Sequence, residues 1–295
     1  MASLVALAAL IVFGWSCAEA GTGLVVGRVE GFEGGPADYR VLRDGRPIPV
    51  DFFLELFDGD EISVLHDSHR IRLDLYYGDG RLVEWGKRQG PLVVRAGAVP
   101  TVGMNFRRWA WSWFAQAREE NSISVHVRGA GGVVPLSLPL LSERPGRVIA
   151  GTRTLALAWY GGRPPYQVRV YQVDTQSPML SLEKIGEVRV RSGSIALPQG
   201  AYVVEVRDAD GSQVSGRFEA LLKDQVPADP AELSQSRLPD PVRNTMVAVW
   251  LASRGNGAWV LEAYQRVVPL AASYYPAGLL RDTLEQGERP ASPPE

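Results

Sequence analysis

His66 and His69 are the first residues whose type and spacing could do chemistry, since they lie three apart with Asp60 and Asp67 nearby. On a helix, residues three apart share a face and could hold a metal ion together. This segment has the pattern of a turn followed by a strand, and in a strand such residues point to opposite faces. We therefore interpret them as solvated loop residues and predict no metal site and no cofactor.

Carboxylates are adjacent in two predicted turns, at residues 58–61 and 208–210. Glycoside hydrolysis needs two carboxylates facing each other across a cleft, and calcium needs more oxygen ligands than one such turn supplies. Neither a Gly-x-Ser-x-Gly motif nor a dinucleotide-binding glycine pattern is present in the sequence. The sequence therefore favours a protein that is not an enzyme.

A cluster of basic and aromatic side chains is the best candidate for a binding surface. It consists of Arg107, Arg108, Trp109, Trp111, Trp113 and Phe114. Such a mixture suits a membrane surface, or a sugar chain stacked on the indole rings. The alternative is that these side chains fill a junction between domains, because large aromatic residues are mostly buried.

The elements that must position this cluster begin with a β region before it. Ile71, Leu73 and Leu75 alternate with polar residues, which is typical of a half-buried strand. Residues 104–121 change to a helical period, with Phe106, Trp109 and Trp113 predicted on one face. The alternation of Trp109, Trp111 and Trp113 would equally suit a strand.

Residues 122–222 return to a β pattern, with a first strand predicted at 123–127. Leu155, Leu157 and Trp159 are predicted to point into a core together with alternate residues of segments 166–170 and 202–206. Residues 223–239 are polar and contain proline, so we predict a linker. A helical hairpin is predicted at 240–286, with its first helix stopped by glycines at 255–257 and a short third helix at about 277–286. A disordered tail is predicted at 287–295.

Two parts of the chain resemble known families. Residues 21–103 resemble a FecR-type domain in their turns and strand edges, at Arg43, Asp44-Gly45, Pro47-Ile48-Pro49-Val50, Leu56, Gly59-Asp60-Glu61-Ile62 and Asp79-Gly80. This resemblance implies a small extracytoplasmic β domain of bacteria. Residues 122–222 resemble an immunoglobulin-like or fibronectin-type sandwich, through Trp159, the Pro-Pro-Tyr turn at 164–166 and the Gly-x-Tyr strand at 200–202.

The first 20 residues are typical of a secretory signal. An uncharged apolar run is followed by Ala18-Glu19-Ala20, which predicts cleavage after Ala20. Lipidation at Cys17 and a retained anchor are the alternatives. Cys17 is the one cysteine, so the mature chain would contain no disulfide bond. The formal net charge of −2, with basic groups spread along the chain, argues against a nucleic-acid partner.

Together these patterns predict a mainly β protein with an α tail: a FecR-like β domain, a connecting helix, an immunoglobulin-like sandwich and a C-terminal helical hairpin. The predicted function is non-catalytic binding or scaffolding in the periplasm or cell envelope, with an envelope protein or glycan as partner and no transmembrane span after cleavage. Two alternatives are an accessory sensor element of a FecR-type signalling pathway and an envelope polysaccharide hydrolase.

Overall fold

The computed structural model describes residues 23–78, 82–98, 103–127, 134–141 and 144–293, and only the backbone of 122–127. Within these ranges the chain is mainly β with a helical C-terminal region, which confirms the predicted fold class. The predicted signal, its cleavage site and Cys17 lie outside the described residues.

The first β unit consists of two four-stranded sheets. Its strands are β1 (Val25–Phe32), β2 (Tyr39–Arg43), β3 (Arg46–Ile48), β4 (Glu55–Phe57), β5 (Glu61–Val64), β6 (Arg70–Leu75), β7 (Leu82–Gly86) and β8 (Leu92–Val93). One sheet has the order β4-β1-β6-β7 and the other β3-β2-β5-β8. Alternate apolar residues such as Val29, Val41 and Ile71 fill the space between the sheets and are fully buried. We call this unit the first sandwich.

Helix α1 (Met104–Val127) follows the first sandwich. The prediction of a strand at 123–127 is wrong, because these residues continue the helix. Once a helix has formed, each added residue gains a backbone hydrogen bond, and this outweighs a weak local preference for strand. The buried face of α1 also differs from the face predicted from the sequence. The side chains that are buried belong to Phe106, Arg107, Ala110, Trp111, Phe114 and Ala117, whereas Trp109 and Trp113 are half-buried.

The second β unit also contains two sheets. Its strands are β9 (Gly146–Ile149), β10 (Gly151–Ala158), β11 (Tyr166–Gln172), β12 (Leu180–Ile185), β13 (Arg189–Leu197), β14 (Gly200–Arg207) and β15 (Gln213–Leu221). Five strands have the order β12-β11-β14-β15-β9, with β9 parallel to β15, and β10 pairs with β13. The predicted inward residues of segments 155–159, 166–170 and 202–206 are buried, as expected. We call this unit the second sandwich.

Helices form the C-terminal region: α2 (Ala231–Gln235), α3 (Asp240–Ala252), α4 (Val260–Val267) and α5 (Tyr275–Glu285). The three helices predicted within 240–286 are present as α3, α4 and α5. Helix α3 ends where predicted, because residues 255–257 adopt positive φ angles. The predicted linker at 223–239 includes α2 and buries Leu233 and Leu238, so it is packed rather than free. In the tail predicted to be disordered, Arg289 Nη1 donates to the Asn256 carbonyl at 2.9 Å.

The helices pack on the second sandwich through polar as well as apolar contacts. The side-chain amide of Gln265 accepts from the Ala156 N–H at 2.7 Å and donates to the Ala156 carbonyl at 2.8 Å. Glu262 pairs with Arg153 at 2.8 Å. One hydrophobic cluster contains buried residues of both the second sandwich and α3, α4 and α5. The boundary predicted at residue 222 therefore does not separate two cores.

Candidate functional site

The N-terminal half of α1 is joined to the first sandwich by a buried ion pair. Arg107 pairs with Asp74 of β6, and Trp111 Nε1 donates to Asp74 Oδ2. Arg107 is 1% exposed and Asp74 is 0% exposed. Burial lowers the pKa of Arg107 to about 10, so the guanidinium stays charged at neutral pH. Asp74 does lie on the polar face of β6, but α1 covers that face.

Arg28 of β1 adds a second set of polar contacts at this junction. It donates to Tyr76 Oη and to the Phe53 carbonyl, both at 3.2 Å, and it pairs with Glu55. Its Nη2 also donates to Ser112 Oγ of α1 at 3.0 Å. These contacts join α1 to the first sandwich, because Ser112 shares the Arg28 guanidinium with groups of the first sandwich.

Three of the six predicted binding residues are therefore not on the surface. Arg107 and Trp111 belong to the junction, and the Phe114 ring is stacked with that of Phe53 at 5.6 Å. The sequence could not identify their partners, because Asp74 and Phe53 come from distant parts of the chain. The prediction of an exposed cluster is wrong for these three residues, and the alternative of a domain junction describes them correctly.

Arg108, Trp109 and Trp113 are half-buried on the flanks of α1. Trp113 packs edge-to-face on Phe114, with ring centroids 5.0 Å apart. Arg108 and Trp109 instead line an open groove between α1, α2 and α3. The six predicted residues are thus divided between a buried junction and two flanks.

We call this space the tryptophan groove. It has a volume of about 800 Å³ and is lined by Asn105, Phe106, Arg108, Trp109, Ser112, Pro230, Glu232, Trp250, Arg254 and Pro293. Sequence reasoning missed Trp250 and Arg254, although their spacing of four places both on one side of α3 and its C-terminal turn. The groove brings together two indoles, two guanidinium groups and one carboxylate.

The two arginines of the groove contact aromatic rings. The guanidinium of Arg254 lies 5.0 Å from the Trp250 ring centroid, and that of Arg108 lies 5.5 Å from the Tyr76 centroid. Within the described part of the chain, neither has a carboxylate oxygen within 4 Å. Half-buried Arg72, by contrast, pairs with Glu30 at 2.6 Å. The groove therefore contains two guanidinium groups that form no ion pair with any described residue.

The remaining candidates have structural roles. His69 Nδ1 lies 3.2 Å from Asp38 Oδ2, and its ring is stacked on that of His66. Asp60 is buried rather than solvated, because it accepts hydrogen bonds from Arg43 and from the Phe57 N–H. Asp208 accepts from the Ser212 N–H within its turn.

The described ranges contain no group of three or more His, Cys, Asp or Glu side chains placed to hold a metal ion. Nor does any helix in them have the length and apolar character needed to cross a membrane.

Comparison with known proteins gives little guidance. No protein-family model matches the chain, and no curated protein matches it. Among solved structures it is similar to CopC from Methylosinus trichosporium OB3b, with 20% sequence identity. That match covers 28% of this chain and 89% of CopC, with a TM-score of 0.22. A similarity of this size carries no argument about the fold or the function of the whole chain.

Proposed function

We propose that the protein is a non-catalytic, exported binding protein of the bacterial cell envelope, and that it takes its ligand in the tryptophan groove. The observation that carries this proposal is the combination of Trp109 and Trp250 with two arginines that have no carboxylate oxygen within 4 Å among the described residues. A groove of about 800 Å³ is within the size range of ligand sites, which is roughly 300–1,000 Å³. The envelope location rests on the predicted signal and on the resemblance of residues 21–103 to a FecR-type domain.

The lining of the groove favours binding over hydrolysis. Cleavage of a glycosidic bond uses two carboxyl groups on opposite sides of that bond. Glu232 is the one carboxylate among the described residues that line the groove. A single carboxylate can accept hydrogen bonds from a ligand. It cannot supply both the general acid and the second carboxyl group, which acts as base or nucleophile.

The test is co-sedimentation of the purified full chain with the insoluble envelope fraction of the native host. The wild-type protein is expected to sediment, and Trp109→Ala is expected to weaken binding about tenfold, because truncation of an anchoring indole typically costs more than 1 kcal/mol. Trp113→Ala is the matched control, since Trp113 is also half-buried on α1 but does not line the groove.

Circular dichroism of both variants verifies that they are folded. Binding that is absent in the wild type, or weakened equally in both variants, contradicts the proposal. Release of reducing sugar ends from the envelope fraction would instead favour the hydrolase alternative.

A further inference from the structure

The positive charge of the tryptophan groove comes from two separate elements. Arg108 belongs to α1, and Arg254 follows the C-terminus of α3. The Nε atom of each is shielded from solvent and has no hydrogen-bond acceptor among the described residues. Because a partly buried cation without a counter-ion is unfavourable, an anionic group bound between these side chains would be stabilised.

The two guanidinium groups are held in place before any ligand arrives. Each lies within 6 Å of an aromatic ring, Trp250 for Arg254 and Tyr76 for Arg108. A guanidinium that is stacked on a ring keeps its N–H edge available for oxygen acceptors. Less conformational freedom is then lost when an anion binds.

The other groups of the groove indicate a ligand that is more than an anion. Trp109 offers a half-exposed indole, which suits the flat apolar face of a sugar ring. Asn105, Ser112 and Glu232 can hydrogen-bond hydroxyl groups. Glu232 would repel a ligand with an acidic group at every position, such as a nucleic acid, and an acidic peptide has few hydroxyl groups to offer it.

We infer that the tryptophan groove binds a sugar chain that carries a carboxylate or phosphate group, with the acidic group between Arg108 and Arg254 and a sugar ring on Trp109. This inference rests on the proposed function and adds the chemical class of the ligand. Both acid types share the oxygen acceptors that guanidinium groups bind, so the experiment must separate them.

The test is isothermal titration calorimetry of the full chain with three probes: maltotriose oxidised to a single uronic acid, maltotriose phosphate and neutral maltotriose. At least one acidic probe is expected to bind about tenfold more tightly than maltotriose, since hydrogen bonds to charged groups are stronger than those to neutral groups. The acidic probe that binds more tightly identifies the source of the anionic group. Binding is expected to weaken with added salt.

Arg254→Gln and Arg108→Gln are each expected to weaken binding of the acidic probe about tenfold and so to bring its affinity close to that of maltotriose. Arg191→Gln is the control, because Arg191 is exposed on β13 and does not line the groove. Equal affinity for acidic and neutral probes overturns the inference, as does a lack of binding of both acidic probes at millimolar concentration. If the envelope fraction still binds in a Trp109-dependent manner, only the ligand class has failed and the proposed function stands.

Discussion

Asp74 is the residue on which the junction between α1 and the first sandwich depends. It is fully buried, and it accepts hydrogen bonds from Arg107 and Trp111. A buried ion pair gives little net stability, but removing one partner leaves the other charge without compensation. The neighbouring residues cannot compensate the charge of Arg107 in place of Asp74, because Arg28 is itself positive and Glu55 already pairs with Arg28.

Asp74→Asn is expected to lower the free energy of unfolding by about 3–5 kcal/mol, since Arg107 would remain buried without an anion. Urea unfolding followed by circular dichroism measures this change. Asp210→Asn, in an exposed turn, is the control and should change stability by less than about 0.5 kcal/mol. The double variant Asp74→Leu/Arg107→Met should recover much of the loss. Equal stability of Asp74→Asn and Asp210→Asn would show that the pair does not hold the junction.

At the scale of single residues, the sequence predicts which face of a strand a residue occupies, but not which distant residue it contacts. The alternation in β6 correctly separates Ile71 and Leu73 from Asp74, but it cannot show that a helix covers the polar face. For the same reason, the helical period in α1 misplaces the buried face. The sequence alone would predict that Arg107 is exposed to solvent. It is buried because Asp74 lies opposite it.

Strand β10 illustrates how one element completes another. Its register with β13 shifts between Thr154 and Ala156, so the regular ladder is interrupted there. Side chains supply the missing partners: Ser192 Oγ accepts from the Leu155 N–H at 2.8 Å, and Gln265 of α4 binds both backbone groups of Ala156. The helix therefore takes part in the hydrogen bonding of the sheet.

Gln265→Leu is expected to lower the free energy of unfolding by about 2–4 kcal/mol, because a buried N–H and a buried carbonyl lose their partner. Chemical denaturation of the full chain measures the effect. Gln116→Leu is the matched control, since Gln116 is exposed on α1 and its side-chain amide donates to the exposed Glu120. If the two variants unfold at the same denaturant concentration, α4 does not stabilise β10 through this contact.

Glu285 makes the packing of α4 against α5 sensitive to pH. Burial raises the pKa of Glu285 above its ordinary value of 4.5, although Tyr264 Oη donates to it at 2.7 Å and Arg189 at 2.8 Å. Because the folded protein binds this proton more tightly than the unfolded chain, the contribution of Glu285 to stability is largest at low pH. It is lost as the pH rises through the pKa of the folded state.

Glu285→Gln keeps an acceptor for Tyr264 and cannot ionise. Relative to the wild type, this variant is expected to gain stability as the pH rises from about 4 to about 7. Urea unfolding of both proteins across this range provides the measurement. A difference in unfolding free energy that does not change with pH would mean that Glu285 titrates as it does in the unfolded chain.

The sequence predicts those elements whose ends are marked by special backbone positions. Helix α3 stops at residues 255–257 because glycine and asparagine readily adopt positive φ angles. Helix α2 has no such signal, and its short segment is helical in a place where Leu233 packs into the core. The C-terminal end of α1 was missed because the residues at 123–127 favour a strand locally.

On the scale of the whole molecule, the second sandwich and the C-terminal helices form one core. The first sandwich contacts this core through α1 and through Tyr275, whose ring centroid lies 4.3 Å from that of Phe52.

The sequence predicts only one side of the tryptophan groove, the side formed by Arg108 and Trp109 of α1. The side formed by Trp250 and Arg254 was not predicted, because the sequence does not show which distant segments come together.

A fragment ending at residue 222 tests this arrangement. It lacks α3, α4 and α5, so β10 would lose the side-chain partner of Ala156, and apolar residues of the cluster that the helices share with the second sandwich would be exposed. We expect this fragment to show no cooperative unfolding transition in urea, whereas the full chain does. A sharp transition in the fragment would show that the β units fold alone and that the helices are an appendage, as the sequence first suggests.

Helix α1 is fixed at three points along its length: Arg107 to Asp74, Arg118 to Asp51 at 2.6 Å, and Asn121 to Thr283 of α5 at 3.0 Å. Arg118 follows Arg107 by about three helical turns and Asn121 by about four, so all three lie on nearly the same side. One residue inserted between Arg107 and Arg118 would rotate everything after it by about 100° and break the two later contacts. These contacts therefore fix the rotational phase of α1 along its length. Substitutions at other positions of the helix are easier to accommodate than an insertion or a deletion.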